Sequence, residues 1–400
     1  MVDGICSEIV KRLEKEHIKN IAERELLLIS SQYPGIWLEH AYDAVFYAKL
    51  DKTKLYLAKN TIEVFIDNQK ENGQYPFCVI ERDGNRIFGY SQIQECVSFL
   101  SLALEVSEML CDSAFDRKIY ESGRKWIEWL ENNRMTRKTG LVEMFVGFDT
   151  GHDNSARLDG LSCKGHYIRP DGKVANASVL PENDEVAPII AVDMNCNYFG
   201  NLTALSKFAE KLGLHDEAVS LREKALFVKK KLFEICYDKE DAFFYDVDKN
   251  GKKRKYLSCT VFHLFMEGVL DKIDDAQVIE EIYNRHIKNE NEFWTPFPFP
   301  SMAVSDKSCE GHPDFNCWGY YTQGLIVFRC TRWMDKYGLN EDFDYVCEKW
   351  IEAWTKCFDW FKLGQEIDPI TGEPTKSSQW YSSTMLMFLY AVQRINEKRN

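Results

Sequence analysis

Two segments of the chain combine carboxylates with turn-forming neighbours. One reads Gly151-His152-Asp153-Asn154-Ser155-Ala156-Arg157-Leu158-Asp159; the other reads Gly364-Gln365-Glu366-Ile367-Asp368-Pro369-Ile370-Thr371-Gly372-Glu373-Pro374. Taken alone, each is equally a turn, since Asp-Asn-Ser caps helices and Asp-Pro and Thr-Gly open turns. Asp153, however, is flanked by Asn154, Ser155 and Arg157, which could hold a carboxyl group in one protonation state. Glu366 stands just ahead of the last apolar helix. A pair of carboxyl groups across a cavity is the apparatus of glycoside hydrolysis: one protonates the leaving oxygen and the other activates water.

That pairing needs a scaffold that brings the two segments to one place. Helical periodicity runs through most of the chain, with almost no sustained period-two alternation. Helices are expected near residues 3–29, 38–50, 52–71, 91–110, 113–133, 188–212, 214–237, 257–270, 275–286, 316–337, 341–361 and 378–397. The links after 50, 110, 212, 270 and 337 are short enough for tight turns between antiparallel helices, and those after 29, 71, 133, 237, 286 and 361 are longer. Short and long links alternate, which puts the long loops at one end. Helices such as 91–110 and 316–337 are apolar over most of their circumference, whereas 214–237 carries charge on one face. The expected fold is therefore all-α, an (α/α)6 barrel of six helical hairpins, with twelve helices in two concentric layers. Residues 1–400 read as a single domain, and both carboxylate segments fall in the long-loop set, where function usually sits.

Composition narrows the partners. The net charge of −13, from 50 Lys+Arg against 63 Asp+Glu, disfavours nucleic acid and anionic membranes. The charged start MVDGICSEIVKRLEKEHIKN has no signal-peptide core, and no apolar run is long enough to span a bilayer. Thirteen scattered cysteines, with no CxxC pair and no zinc-ligand spacing, fit free thiols in a reducing cytoplasm. Nothing demands a cofactor or a metal, and no oligomer signal is read.

The ordered motifs resemble the six-hairpin glycosidases, and among them glycoside hydrolase family 63, with trehalases more distant. Gly151-His152-Asp153-Asn154-Ser155 is similar to the family's Gly-x-Asp-Asn-Ser segment, and Glu366 before Pro369-Ile370-Thr371-Gly372 to its Glu before a Pro-Leu-Thr-Gly turn. Gln379-Trp380-Tyr381-Ser382 resembles the Trp-Ser-like pair that follows. Val192-Asp193-Met194-Asn195, Phe299-Pro300-Ser301-Met302-Ala303, Asn316-Cys317-Trp318-Gly319, Trp37-Leu38-Glu39-His40 and Gln69…Gly73-Gln74-Tyr75-Pro76 keep the family's order. The resemblance implies an inverting hydrolase with Asp153 as general acid and Glu366 as general base. The chain departs from the family at His152, at Ala156, in the Trp318-Gly319-Tyr320-Tyr321 strip and in the shorter step from Glu366 to Pro369. That last departure makes Glu373, then Asp368, the other candidates for the base. A small α-linked gluco- or manno-configured glycoside is the substrate class the resemblance implies.

Around the pair, Trp37, Trp318 and Trp380 are expected to line the mouth and stack on sugar faces, although inner helices need large apolar residues in any case. Glu39, Gln94, Arg157 and Tyr381 are the expected partners for hydroxyls; Gln94 stands out as an amide midway along an apolar helix. His40 and His166 could contact ligand, but a lone His is more often structural. A sugar epimerase, a polysaccharide lyase and a non-catalytic carbohydrate-binding toroid use the same scaffold. An epimerase calls for paired His proton shuttles, and a lyase for a Tyr base among basic residues.

Overall fold

The structure is a computed structural model, and it describes residues 1–162, 176–309 and 318–399. Twelve α-helices account for most of the regular structure among these residues. They are α1 (Val2–Arg12), α2 (Ala41–Leu50), α3 (Leu55–Asp67), α4 (Phe99–Leu110), α5 (Ser113–Asn133), α6 (Val192–Lys211), α7 (His215–Ile235), α8 (Phe262–Met266), α9 (Ala276–Ile282), α10 (Gly324–Arg329), α11 (Asn340–Cys357) and α12 (Ser382–Arg399).

The helices fall into two kinds. Every residue of α2 from Ala41 to Ala48 is buried, and α6 is buried around nearly its whole circumference. By contrast, α7 buries only Ala218, Ala225, Val228 and Leu232, a single stripe at helical spacing. The even-numbered helices pack against one another in succession, α2 on α4, α4 on α6, α6 on α8 and α10 on α12, and α12 returns to α2. Odd-numbered α3, α5, α7 and α11 each pack outside their even neighbours.

The short links have a stereochemical reason. Cys111 ends α4 at φ 54°, and Asp112 then caps α5 by accepting from Ala114 N at 2.9 Å. Gly213, at φ 74°, ends α6 as Leu214 N returns to Ala209 O at 2.8 Å, the left-handed stop that glycine supplies without strain. Gly338 does the same ahead of α11.

Several expected helices are shorter, and strands take their place. Residues 3–29 form α1, a π-type turn at Leu13–His17, and then a hairpin of β1 (Ile18–Ile21) and β2 (Arg24–Leu27), with Ala22 and Glu23 in the left-handed region. Residues 91–98 are not helical, so the expected helix 91–110 begins only at Phe99. The expected helix 316–337 reduces to α10 followed by 3-10 turns, and its first two residues lie outside the described set. The strands β3 (Gly35–Trp37), β4 (Cys78–Arg82) and β5 (Asn85–Gly89) form one antiparallel sheet. Two-residue pairs join β6 (Tyr237–Asp238) to β7 (Phe243–Phe244), β8 (Asp246–Val247) to β9 (Lys253–Arg254), and β10 (Thr322–Gln323) to β11 (Glu366–Ile367).

The ten described cysteines with placed side chains are free thiols, eight of them buried. Among the described residues no helix is long and apolar enough to cross a membrane.

Candidate active site

The loop that carries Asp153 is clamped at both ends by buried ion pairs. Ahead of it, Arg134 meets Asp149 through two nitrogens, at 2.6 and 3.1 Å, with both side chains fully buried. Asp149 also accepts from the backbone of Ile93, Phe145 and Val146. Behind it, Arg157 donates to Asp193 on α6 and to Asp246 on β8, each at 2.5 Å. A guanidinium offers donors in a fixed fork, so such pairs set position as well as charge. Between the clamps the chain passes through Gly151 at φ 67° and Asn154 at φ 59°.

Arg157, expected to meet substrate hydroxyls, is thus engaged with two carboxylates and only 1% exposed. Burial raises the Asp193 carboxyl, and the adjoining Arg157 charge works against that rise.

Glu39 follows β3 on a short 3-10 turn and lies against this loop. Its carboxyl is pushed up to about 8, first by burial and then by the charge of Asp153, while Arg329 and a hydrogen bond from Gln94 pull it back. Two carboxyl groups in mutual reach resist ionising together. Cys96 Sγ lies 3.5 Å from Glu39 Oε2, and His40 Nδ1 lies 3.2 Å from Oε1. Burial and the Arg329 charge hold His40 well below the usual imidazole range, so the ring is neutral. Its Nε2 meets Tyr381 Oη at 2.8 Å. Burial, with Tyr33, Glu39 and Asp43 nearby, raises the Tyr381 phenol. Tyr33 feels the charges of both Glu39 and Asp153, and stacks edge-on with Trp37 at 5.3 Å.

Gln94 is buried but sits in the irregular segment before α4, at φ 51°, where it accepts from Gln92 at 2.5 Å. It is therefore not the mid-helix amide the sequence suggested. A helix through residues 91–98 would take the Ile93 N–H from Asp149 and the Gln94 side chain from Glu39; side-chain partners replace the helical ladder here.

Glu366 lies on β11, paired in register with Gln323 on β10, and is wholly buried. Thr375 donates to Oε1 at 2.7 Å, and Gln323 donates to Oε2. Asp368 instead caps the turn that follows, accepting from Ile370 N and Thr371 N at 2.8 Å, and Glu373 is exposed.

Trp318 donates its backbone N–H to Asp153 O at 3.2 Å, and its ring stacks on His152 at 4.3 Å. Tyr33, Glu39, Gln94 and Trp318 thus lie about the Asp153 loop, with Trp37 joined to them through Tyr33 and Tyr381 through His40. Trp380 does not join them: its ring lies under Arg12, 4.4 Å away, and beside Phe358. His166 and Asn316-Cys317 lie outside the described residues.

Sequence reasoning missed Arg329, which projects from α10 and acts electrostatically on Glu39, His40, Asp43, His152 and Tyr381. Its signal was an arginine inside the apolar run Gly324-Leu-Ile-Val-Phe-Arg329-Cys330, where a charge is buried only for a reason. It also missed the clamps, because Arg134, Asp149, Asp193 and Asp246 are distant in sequence. His152, Asp193 and His263 offer three potential metal-ligand atoms within 4.8 Å of one another, all buried.

Residues 33–321 match the family described as mannosylglycerate hydrolase MGH1-like glycoside hydrolase domain. Among solved structures, the glycoside hydrolase family 63 mannosylglycerate hydrolase of Thermus thermophilus in complex with glucose superposes with TM-score 0.73. It is 16% identical, over 96% of this chain and 99% of that one. The same enzyme with Tris and D-glycerate gives 0.71 at 14% identity, over 98% and 99%. The neutral trehalase of Saccharomyces cerevisiae gives 0.69 at 14%, over 100% of this chain and 80% of that one. An uncharacterized protein of Borreliella burgdorferi is 30% identical over 128 residues, 32% of this chain, and the match spans 25% of that protein's length.

Proposed function

The chain belongs to the MGH1-like glycoside hydrolases, and on that premise we propose that it hydrolyses a small α-linked gluco- or manno-configured glycoside with inversion. It is a glycoside hydrolase of the family 63 and trehalase-like superfamily. In our reading Asp153 protonates the glycosidic oxygen and Glu366 takes a proton from water on the opposite face of the sugar. An inverting pair stands about 6.5–9.5 Å apart to leave room for that water. The scaffold would be one closed (α/α)6 barrel over residues 1–400, supported by the packing of α2 on α4, α4 on α6, α6 on α8, α10 on α12 and α12 on α2. Free buried thiols support a reducing, cytoplasmic setting.

One observation carries the proposal. The strip Trp318–Gln323 is hydrogen-bonded to Asp153 at its first residue and to Glu366 at its last. The first bond is to the Asp153 backbone carbonyl and the second to the Glu366 carboxyl. Five residues span at most about 18 Å when fully extended, so the strip ties the two carboxylate-bearing loops together, which supports reading them as one site. Of the three candidate bases, Glu366 is buried beside the strip, Asp368 is occupied with a turn, and Glu373 is exposed.

Glu39 is the competing second carboxyl. The observation in its favour is its electrostatic coupling to Asp153.

A panel of α-glucosides, α-mannosides and glycosyl-glycerates, followed by NMR of the first-formed anomer, tests the reading. Release of the β-anomer from an α-linked substrate is expected. Release of the α-anomer refutes inversion, and no free sugar from any member refutes the substrate class.

A further inference from the structure

His152 stands one residue before Asp153, and its ring forms one wall of a small interior cavity. Arg329 and His263 form two others, and the remaining side chains, from Cys259 and Met266 to Phe262, Ile326 and Trp333, contribute no oxygen atom. The cavity has about 10 Å³ of room for the centre of a water-sized particle, which is space for one.

Three nitrogens of these walls are buried without a hydrogen-bond partner: His152 Nε2, His263 Nδ1 and Arg329 Nη2. Arg157 Nη2 lies 3.3 Å from His152 Nδ1. Arginine only donates, so Nδ1 must accept and the proton of the neutral ring sits on Nε2. The orphan Nε2 is therefore a donor. Arg329 is 4% exposed and forms no ion pair with a carboxylate among the described residues. A buried charge left unbalanced is costly.

We propose that this cavity is a halide site, holding one chloride ion between His152, His263 and Arg329. In this assignment the neutral His263 ring carries its proton on Nδ1, so the cavity presents three donors; a water oxygen accepts from two of them and would leave the charge of Arg329 without a counter-ion there. A monatomic anion is satisfied by donors alone and balances that charge.

The same residues argue against a divalent cation at His152, Asp193 and His263. Asp193 Oδ2 lies 3.5 Å from His152 Nδ1, but Arg157 already holds it at 2.5 Å. Both rings are held well below the usual imidazole range, first by burial and then by the charges of Arg157 and Arg329 among others. The potential around them is positive, and a cation would meet two guanidinium groups. A bound chloride would tie α8 and α10, through His263 and Arg329, to the loop that carries Asp153.

Crystals of the full chain grown in bromide test this directly. An anomalous bromine peak within hydrogen-bond distance of His152 Nε2 and Arg329 Nη2 is expected. A cavity that scatters as water in bromide, or a zinc peak at His152, Asp193 and His263 after zinc soaking, overturns the proposal. In solution, replacing acetate by chloride at constant ionic strength should raise the unfolding midpoint saturably, by about 2 °C or more. Arg329→Gln should lose that chloride-specific rise, and an equal rise in the variant counts against the site. If Arg329→Gln does not fold, the bromide crystal of the unmodified protein decides.

Discussion

The Cα of Gly151 packs against the carboxyl of Glu39 so tightly that a methyl group there would overlap Glu39 Oε2 and Cys96 Sγ. Gly151 also holds φ at 67°, which side chains rarely adopt. Both constraints act two residues from Asp153. Gly151→Ala should therefore fold but displace the Asp153 loop from Glu39. Such a displacement is expected to lower kcat/KM by about ten- to a hundredfold, and steady-state kinetics beside a circular dichroism melt will separate that loss from unfolding.

The roles of the three carboxyl groups of Asp153, Glu366 and Glu39 can be separated by amide substitution. Asp153→Asn and Glu366→Gln should each lower kcat by about 10²–10⁴-fold, as loss of a general acid or base does, with little change in the unfolding midpoint. Glu39→Gln should act mainly on KM if Glu39 binds substrate. A Glu366→Gln enzyme of nearly full activity beside a dead Glu39→Gln would exchange their roles.

The helical pairing was legible because it follows from local rules: apolar circumference, charged stripe and the alternation of short and long links. Asp153 and Glu366 were legible as motif residues in long loops. What was not legible depends on tertiary partners. Ile18–Leu27 has helical spacing, yet forms a hairpin that packs β2 on α3. Gln94 leaves the helix because Glu39 and Gln92 offer its side chain better bonds than solvent would. Arg157 sits four residues after Asp153 in sequence and reads as a ligand contact, but Asp193 and Asp246 claim it from two distant elements. Trp380 follows the motif order and still turns toward Arg12. Periodicity names faces, and it does not name which charge arrives from another element.

Stability should fall with pH partly through Glu39. Its folded pKa of about 8 lies above the ordinary value of 4.5, so between these limits the folded state holds a proton that the unfolded state has lost. The contribution is complete below about 4.5 and disappears as pH rises through 8, with a slope of at most about 1.4 kcal/mol per pH unit for one proton. Glu95, raised to about 7 chiefly by burial, and Asp43, raised to about 6, act in the same direction. Urea unfolding at pH 5, 6, 7 and 8 should show a shallower decline in Glu39→Gln than in the unmodified protein. Parallel curves would mean that Glu39 ionises normally.

Arg157 supplies the test of the clamp itself. Arg157→Met removes the cation and leaves Asp193 and Asp246 buried without it, and breaking a buried pair in this way costs about 3–5 kcal/mol. Activity should fall as well, because Asp246 also accepts from Val192 N at 2.8 Å and so fixes the start of α6. Much of the stability loss comes from the abandoned carboxylates rather than from the missing hydrogen bonds. Combining Arg157→Met with Asp193→Asn and Asp246→Asn should therefore recover a large part of it in denaturant unfolding. If the clamp positions Asp153, the triple variant will regain stability without regaining kcat. Recovery of both together would show that Arg157 matters to the fold alone.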